Sequence, residues 1–225
     1  MAKLCVALDT DYRNAIDLVE ALLGYPIIFK VGYKLFIPHG RRVTEFIKER
    51  GFELFLDLKL NDIPNTVRNG VIAAEELSAD YLTIHILSGR EAMREGLKVK
   101  GKMRLLGVTL LTSLNQSFLK EVGILLSVQD TVLRLASMGI EEGLDGIVCS
   151  GHEVKLLKGK IKEDFIAVVP GIKFNQDRDH KRSINLFDAV KLGADIVVVG
   201  RAILQAENPV KRVEELLSNL RVFEE

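Results

Sequence analysis

Short runs of β-branched and aliphatic residues alternate along this chain with longer segments whose apolar positions recur every three or four residues. The short runs fall at 3–9, 27–32, 53–59, 81–86, 104–109, 145–149, 165–169 and 195–199, and they predict strands. Helical patterns lie between them. Residues 11–23 carry Ile16, Val19, Ala21 and Leu23 with charges between them, and 38–50 runs into Gly51, a residue suited to end a helix. Residues 65–77 carry Val67, Val71, Ala74 and Leu77, and 128–142 carry Val132, Leu135, Ala136 and Ile140. Asn208-Pro209 opens the last helix with proline in its first turn.

Strands alternating with helices, with no Pro/Gly/Ser-rich linker among them, predict parallel strands joined by helical crossovers. Eight such units in 225 residues predict an α/β fold of the closed (β/α)8 TIM-barrel type, with residues 1–225 as a single domain. An open doubly wound sheet would offer a Gly-x-Gly-x-x-Gly turn after the first strand. The chain has Asp9-Thr10-Asp11-Tyr12-Arg13 there, which argues against a dinucleotide site. The longest connections, about 110–127 and 170–184, both follow strands and so belong to the end of a barrel where chemistry is done.

Alternation also sorts faces, because residues two apart on a strand share one. Leu54, Leu56 and Leu58 form the outward face of the third strand, which turns Glu53, Phe55, Asp57 and Lys59 into the barrel. In the first strand Leu4, Val6 and Leu8 face out while Cys5, Ala7 and Asp9 face in. Ile28 and Lys30 face in on the second, and Thr83 and His85 on the fourth. Asp9, Lys30, Asp57, Lys59 and His85 therefore converge at one barrel mouth. Buried charges cost several kcal/mol each unless paired, so such an array is either a self-neutralising plug or a reaction centre. His85 has no clear partner in the sequence and reads as a polar filler.

Composition narrows the partners. Lys plus Arg and Asp plus Glu are both 31, a formal net charge of zero, which argues against nucleic acid. No apolar run approaches the roughly 18 residues of a membrane span, and the N-terminus has no signal-peptide pattern. Cys5 and Cys149 both lie in apolar strands, so no disulfide framework is expected and a reducing cytoplasm fits. A local anion site does emerge. The eighth strand ends in Gly200-Arg201 before a short helical segment, and the seventh loop reads Pro170-Gly171-Ile172-Lys173. Glycine lets a phosphate approach backbone N–H groups, and the cations add charge-assisted contacts.

The run Asp57-Leu58-Lys59-Leu60-Asn61-Asp62-Ile63-Pro64-Asn65-Thr66-Val67 closely resembles the signature of the orotidine 5'-monophosphate decarboxylase family. Asp-x-Lys-x-x-Asp alone is shared with sugar-phosphate relatives, and the Ile-Pro-Asn-Thr continuation narrows it. Further matches follow in order: Ala7-Leu8-Asp9, Phe29-Lys30-Val31-Gly32, Val108-Thr109-Leu110-Leu111-Thr112-Ser113, Pro170-Gly171-Ile172-Lys173 and Val199-Gly200-Arg201.

The resemblance implies cofactor-independent, metal-free decarboxylation of orotidine 5'-monophosphate to uridine 5'-monophosphate, the last step of UMP biosynthesis. It implies Lys59 as the proton donor to C6, with Asp57 beside the substrate carboxylate. Lys30 and Asp62 complete an alternating charged array. Asp9 and Lys30 contact the ribose hydroxyls, Thr112 meets the pyrimidine edge, and Gly200 and Arg201 hold the phosphate. It further implies a homodimer in which Asp62 and Thr66 enter the partner's site, with Ile63 also a substrate-binding residue. Lys173 and His180 fall in the phosphate-side loop. The family usually carries Gln where this chain has His180, and Lys173 stands where Arg is common, so either His180 or Gln176 takes the loop role. A metal-dependent hexulose-phosphate synthase or keto-gulonate-phosphate decarboxylase is the nearest alternative. It would need an acidic ligand where this chain has Lys30-Val31-Gly32-Tyr33-Lys34. A non-catalytic barrel that binds a phosphate ligand is the other.

Overall fold

The structure is a computed structural model and describes residues 2–172 and 185–221. In chain order its elements are β1 (Lys3–Ala7), α1 (Tyr12–Ala21), β2 (Ile27–Val31), α2 (Tyr33–Glu49), β3 (Glu53–Leu60), α3 (Pro64–Glu76), β4 (Tyr81–His85), α4 (Arg90–Leu97) and β5 (Arg104–Val108). There follow α5 (Gln116–Glu121), α6 (Val128–Glu141), β6 (Gly146–Val148), α7 (Gly151–Lys160), β7 (Ile166–Val169), α8 (Leu186–Lys191), β8 (Ile196–Val199), α9 (Arg201–Leu204) and α10 (Pro209–Arg221). Every strand pairs in parallel with its sequence neighbours and β8 pairs with β1, so the sheet closes into the expected (β/α)8 barrel. Among the described residues no helix is long and apolar enough to cross a membrane.

Alternation sorts the strands into two packed regions. Leu4, Val6, Phe29, Leu54, Leu56, Leu82 and Ile84 point outward and are buried against the helices. Cys5, Ala7, Ile28, Phe55, Tyr81, Leu106, Val168, Ile196 and Val198 fill the barrel interior. The foreseen boundaries hold to within a few residues, except that α2 starts at Tyr33 rather than at residue 38. It contains Pro38 and breaks at Gly40 (φ 16°, ψ −108°), so the pattern beginning at residue 38 covers only its later part. The long connection at 110–127 contains α5, which Asn115 caps by accepting from the Ser117 and Phe118 N–H groups.

The N-terminal end of the barrel is tied by one device used three times. Ser78-Ala79-Asp80, Gly143-Leu144-Asp145 and Gly193-Ala194-Asp195 each turn from a helix into an even-numbered strand. The first residue of each has positive φ (56°, 98° and 102°). Each aspartate then grips the preceding odd strand twice. The N–H of Asp80 donates to the Leu54 carbonyl, and its Oδ2 accepts from the Leu54 N–H at 2.7 Å. Asp145 does the same with Leu105 and Asp195 with Ala167, each carboxylate accepting at 2.8 Å. Lys48, Lys100 and Lys158 in turn meet these carboxylates at 2.6, 2.9 and 2.9 Å. Inside the same end, Lys3 pairs with Glu53 at 2.8 Å and Arg104 donates to the Tyr81 hydroxyl at 3.0 Å. These polar groups close the barrel floor and leave its other end for ligands.

Candidate active site

A cavity of about 300 Å³ opens at the C-terminal ends of the strands. Asp9, Lys30, Asp57, Lys59, Thr112, Gly171, Gly200 and Arg201 line it, over an apolar floor that includes Phe55, Val108, Val168 and Val198. β1 ends at Ala7, so Asp9 stands on the loop just beyond the strand rather than in it.

Asp57 is the hub. Its side chain is 15% exposed. Oδ2 faces the Lys30 ammonium at 3.1 Å, while Oδ1 accepts from Lys59 Nζ at 2.7 Å and from the Thr83 hydroxyl at 3.1 Å. Lys30 also faces Asp9 at 3.7 Å. Burial works to raise the Asp57 pKa, but the two ammonium groups outweigh it and hold the carboxyl below its ordinary value. Burial likewise works to lower the Lys30 pKa, and Asp57 with Asp9 reverses that, so the ammonium titrates above its ordinary value. Both groups are charged at neutral pH.

Strand β3 reaches this arrangement through a bulge. Leu56 pairs with Leu82, but the next pair is Leu60 with Ile84, so Asp57, Leu58 and Lys59 oppose Thr83 alone. Lys59 has φ +47°, in the left-handed region that side chains with a Cβ rarely adopt. Its N–H, taken out of the ladder, donates to Thr83 Oγ1 at 2.8 Å. The carbonyl of Leu58 accepts from the Tyr33 hydroxyl, also at 2.8 Å. Lys34 reaches the Asp9 carbonyl at 3.3 Å.

The remaining candidates divide. Asp62, Ile63 and Thr66 sit at the start of α3, exposed and outside the cavity of their own chain; Ile63 is 67% exposed. Lys173, Gln176 and His180 lie outside the described residues. His85, expected among the converging groups, is not a lining residue. Its Nδ1 accepts from the Leu87 N–H at 3.4 Å, and burial together with the nearby Lys59 charge lowers its pKa. It is a neutral imidazole at neutral pH. Sequence reasoning turned Thr83 inward without giving it a role, and it missed Tyr33. The available signal for Thr83 was a hydroxyl in an inward register beside two inward charges. Tyr33 had none, because its partner is a backbone carbonyl rather than a side chain.

On the phosphate side, Gly171 has φ +75° and Gly200 precedes α9 with no side chain between its backbone and the cavity. A Cβ at Gly200 would meet the Ala7 Cβ at 3.4 Å and the Asp9 carboxylate at 3.7 Å, ordinary contacts that would cover the backbone facing the cavity. Among the described residues no three His, Cys, Asp or Glu side chains come together as a metal site would need.

A (β/α)8 barrel with two ammonium groups around a buried carboxylate, and glycines with an arginine across the cavity, is in the class of barrel enzymes that act on small anionic ligands. The family model described as orotidine 5'-phosphate decarboxylase / HUMPS matches residues 2–216. The orotidine 5'-phosphate decarboxylase of Aquifex aeolicus is 44% identical, covering 96% of this chain and 97% of that protein. That of Carboxydothermus hydrogenoformans is 43% identical over 92% and 90% of the two chains. The crystal structure of the Lactobacillus acidophilus enzyme of the same name superposes with a TM-score of 0.86 at 34% identity, covering 97% and 99%. The chain belongs to the orotidine 5'-phosphate decarboxylase / HUMPS family.

Proposed function

We propose that this protein decarboxylates orotidine 5'-monophosphate to uridine 5'-monophosphate without metal or organic cofactor, with Lys59 donating the proton to C6. The observation that carries this reading is the Lys30–Asp57–Lys59 chain, with contacts of 3.1 and 2.7 Å, at the mouth of a barrel in this family. Loss of carbon dioxide leaves an electron pair at C6 that the pyrimidine ring delocalises poorly. A fixed ammonium beside C6 stabilises that charge as it develops and then supplies the proton. Asp57 holds the ammonium in place and lies beside the substrate carboxylate. Lys30 holds Asp57 ionised and, with Asp9, faces the ribose hydroxyls. Thr112 meets the pyrimidine edge, and Gly200 and Arg201 take the phosphate. Binding energy from the phosphate, remote from the reacting bond, orders the site around the base.

Asp62, Ile63 and Thr66 complete the site of a second copy in a homodimer. Their exposure outside their own cavity supports this, since a signature residue idle in its own chain is free to act in another. The chain works as one barrel domain, residues 1–225, and a reducing cytoplasm suits its two buried free thiols. Lys173 and His180 add to substrate binding.

The test is a spectrophotometric assay with orotidine 5'-monophosphate in excess EDTA. Full turnover is expected. Activity that disappears with chelation and returns with a divalent cation would favour the metal-dependent sugar-phosphate chemistry of the alternative reading.

A further inference from the structure

We propose that Thr83 and Tyr33 are positioning residues: they clamp the β3 bulge and thereby set the height of Lys59 in the site. The proposal rests on Lys59 being the proton donor. A regular β3 would continue its pairing so that Asp57 faced Thr83 and Lys59 faced His85. Lys59 would then stand two residues farther along the barrel axis, roughly 6–7 Å at strand rise. The bulge removes that offset. Three residues of β3 share the level of Thr83, and Lys59 Nζ lies 2.7 Å from Asp57.

The Leu58–Lys59 peptide unit within the bulge is held from both sides, its N–H turned toward β4 and its carbonyl toward the β2 side, where β2 has already ended at Val31. The Lys59 N–H goes to Thr83 Oγ1 at 2.8 Å, and the Leu58 carbonyl to the Tyr33 hydroxyl at 2.8 Å. Thr83 is fully buried. Its hydroxyl is used in both senses, accepting from the Lys59 N–H and donating to Asp57 Oδ1 at 3.1 Å. One oxygen thus fixes the backbone of the proton donor and the carboxylate that holds its ammonium. The left-handed φ of Lys59 persists because these contacts outweigh its strain. Neither hydroxyl lines the cavity, so their effect falls on alignment rather than on ligand contact.

The experiment compares Thr83→Val, Thr83→Ser and Tyr33→Phe with the unmodified enzyme, measuring kcat and KM for orotidine 5'-monophosphate and Kd for uridine 5'-monophosphate. Thr83→Val keeps the shape and removes both hydrogen bonds. A misplacement near 1 Å is enough for about a 100-fold fall in kcat, and KM and Kd should stay within about threefold. Thr83→Ser restores the hydroxyl and should return most of the loss. Tyr33→Phe, at a half-exposed site that tolerates the change, should lower kcat about tenfold and carries the test if Thr83→Val does not fold. Unchanged kcat in the folded Thr83→Val protein, a Ser variant as impaired as the Val variant, or an unchanged Tyr33→Phe would overturn the clamp. Lys59→Ala is the control for the role beneath it. An inactive Lys59→Ala beside a fully active Thr83→Val rejects the clamp alone, whereas an active Lys59→Ala rejects the proton-donor assignment itself.

Discussion

Asp57 shows how a single carboxylate couples stability to chemistry. It is buried and ionised because Lys30 and Lys59 flank it, and its folded pKa lies below the ordinary 3.8. A depressed folded pKa contributes stability that is fully present above 3.8 and is lost as pH falls through the folded value. The unfolding free energy of the unmodified protein should therefore exceed that of Asp57→Asn at neutral pH, and the gap should close in strong acid. Urea titrations across pH read this directly; a gap independent of pH would contradict it. Lys59 is the residue whose loss should matter most for rate. Lys59→Ala should lower kcat by at least 10²- to 10⁴-fold, roughly the range for removing a general acid, while the circular dichroism spectrum stays that of the folded barrel. Arg201, which lines the far side of the same cavity, should act differently. Arg201→Ala should raise KM and lower kcat together, because the phosphate contact it would remove helps to order the site, whereas the Lys59→Ala loss falls on kcat.

The elements carry a division of labour between the two ends of the barrel. At the N-terminal end, Asp80, Asp145 and Asp195 each bond both the N–H and the carbonyl of one residue on the neighbouring strand. Removing such a carboxylate leaves a backbone N–H without its acceptor, a loss of about 1–3 kcal/mol when the group is buried. Asp80→Ala should accordingly lower stability by about that amount, leaving kcat unchanged, because Leu54 is fully buried and far from the cavity mouth. Equal denaturation midpoints for variant and parent would show that water takes over as acceptor for the Leu54 N–H. At the C-terminal end regularity gives way. Strand β3 bulges, β4 runs into a tight turn over Ile86–Ser88, and the first residues after β1 and β8 carry cavity-lining groups. The strand pattern was legible because alternating burial is a local property. The break in α2 and the helix inside the 110–127 connection were not, since one depends on Gly40 adopting an unusual backbone and the other is a short six-residue helix.

At the scale of the whole molecule, the signature Asp57–Thr66 is split by the fold. Its first part lines the cavity and its second part begins α3 on the exposed surface. The proposed homodimer with shared sites would account for this division, and complementation tests it. Asp62→Ala and Lys59→Ala proteins should each be nearly inactive. After subunit exchange, up to one site in each mixed dimer combines an intact Lys59 with an intact Asp62, so activity should reappear. Demonstrated exchange without any recovered turnover would argue that each chain builds its site alone. The exposed Ile37 and Ile63, 78% and 67% accessible in the single chain, are expected to become protected from solvent in such a pair.

The sequence by itself determined the eight-unit alternation, the inward face of the first four strands and the order in which Asp9, Lys30, Asp57, Lys59 and Arg201 reach the barrel mouth. These follow from periodicities of two and near four, which neighbouring residues carry within themselves. Only the tertiary structure decided how high on that face Lys59 stands. Inserting two extra residues into β3 leaves the facing unchanged, so alternation assigned Lys59 correctly to the interior while remaining blind to the bulge. Height depends on register against β4, and that register is held by a hydroxyl 24 residues away in sequence. Facing is local, whereas register is a relation between strands, and the chemistry proposed here depends on both.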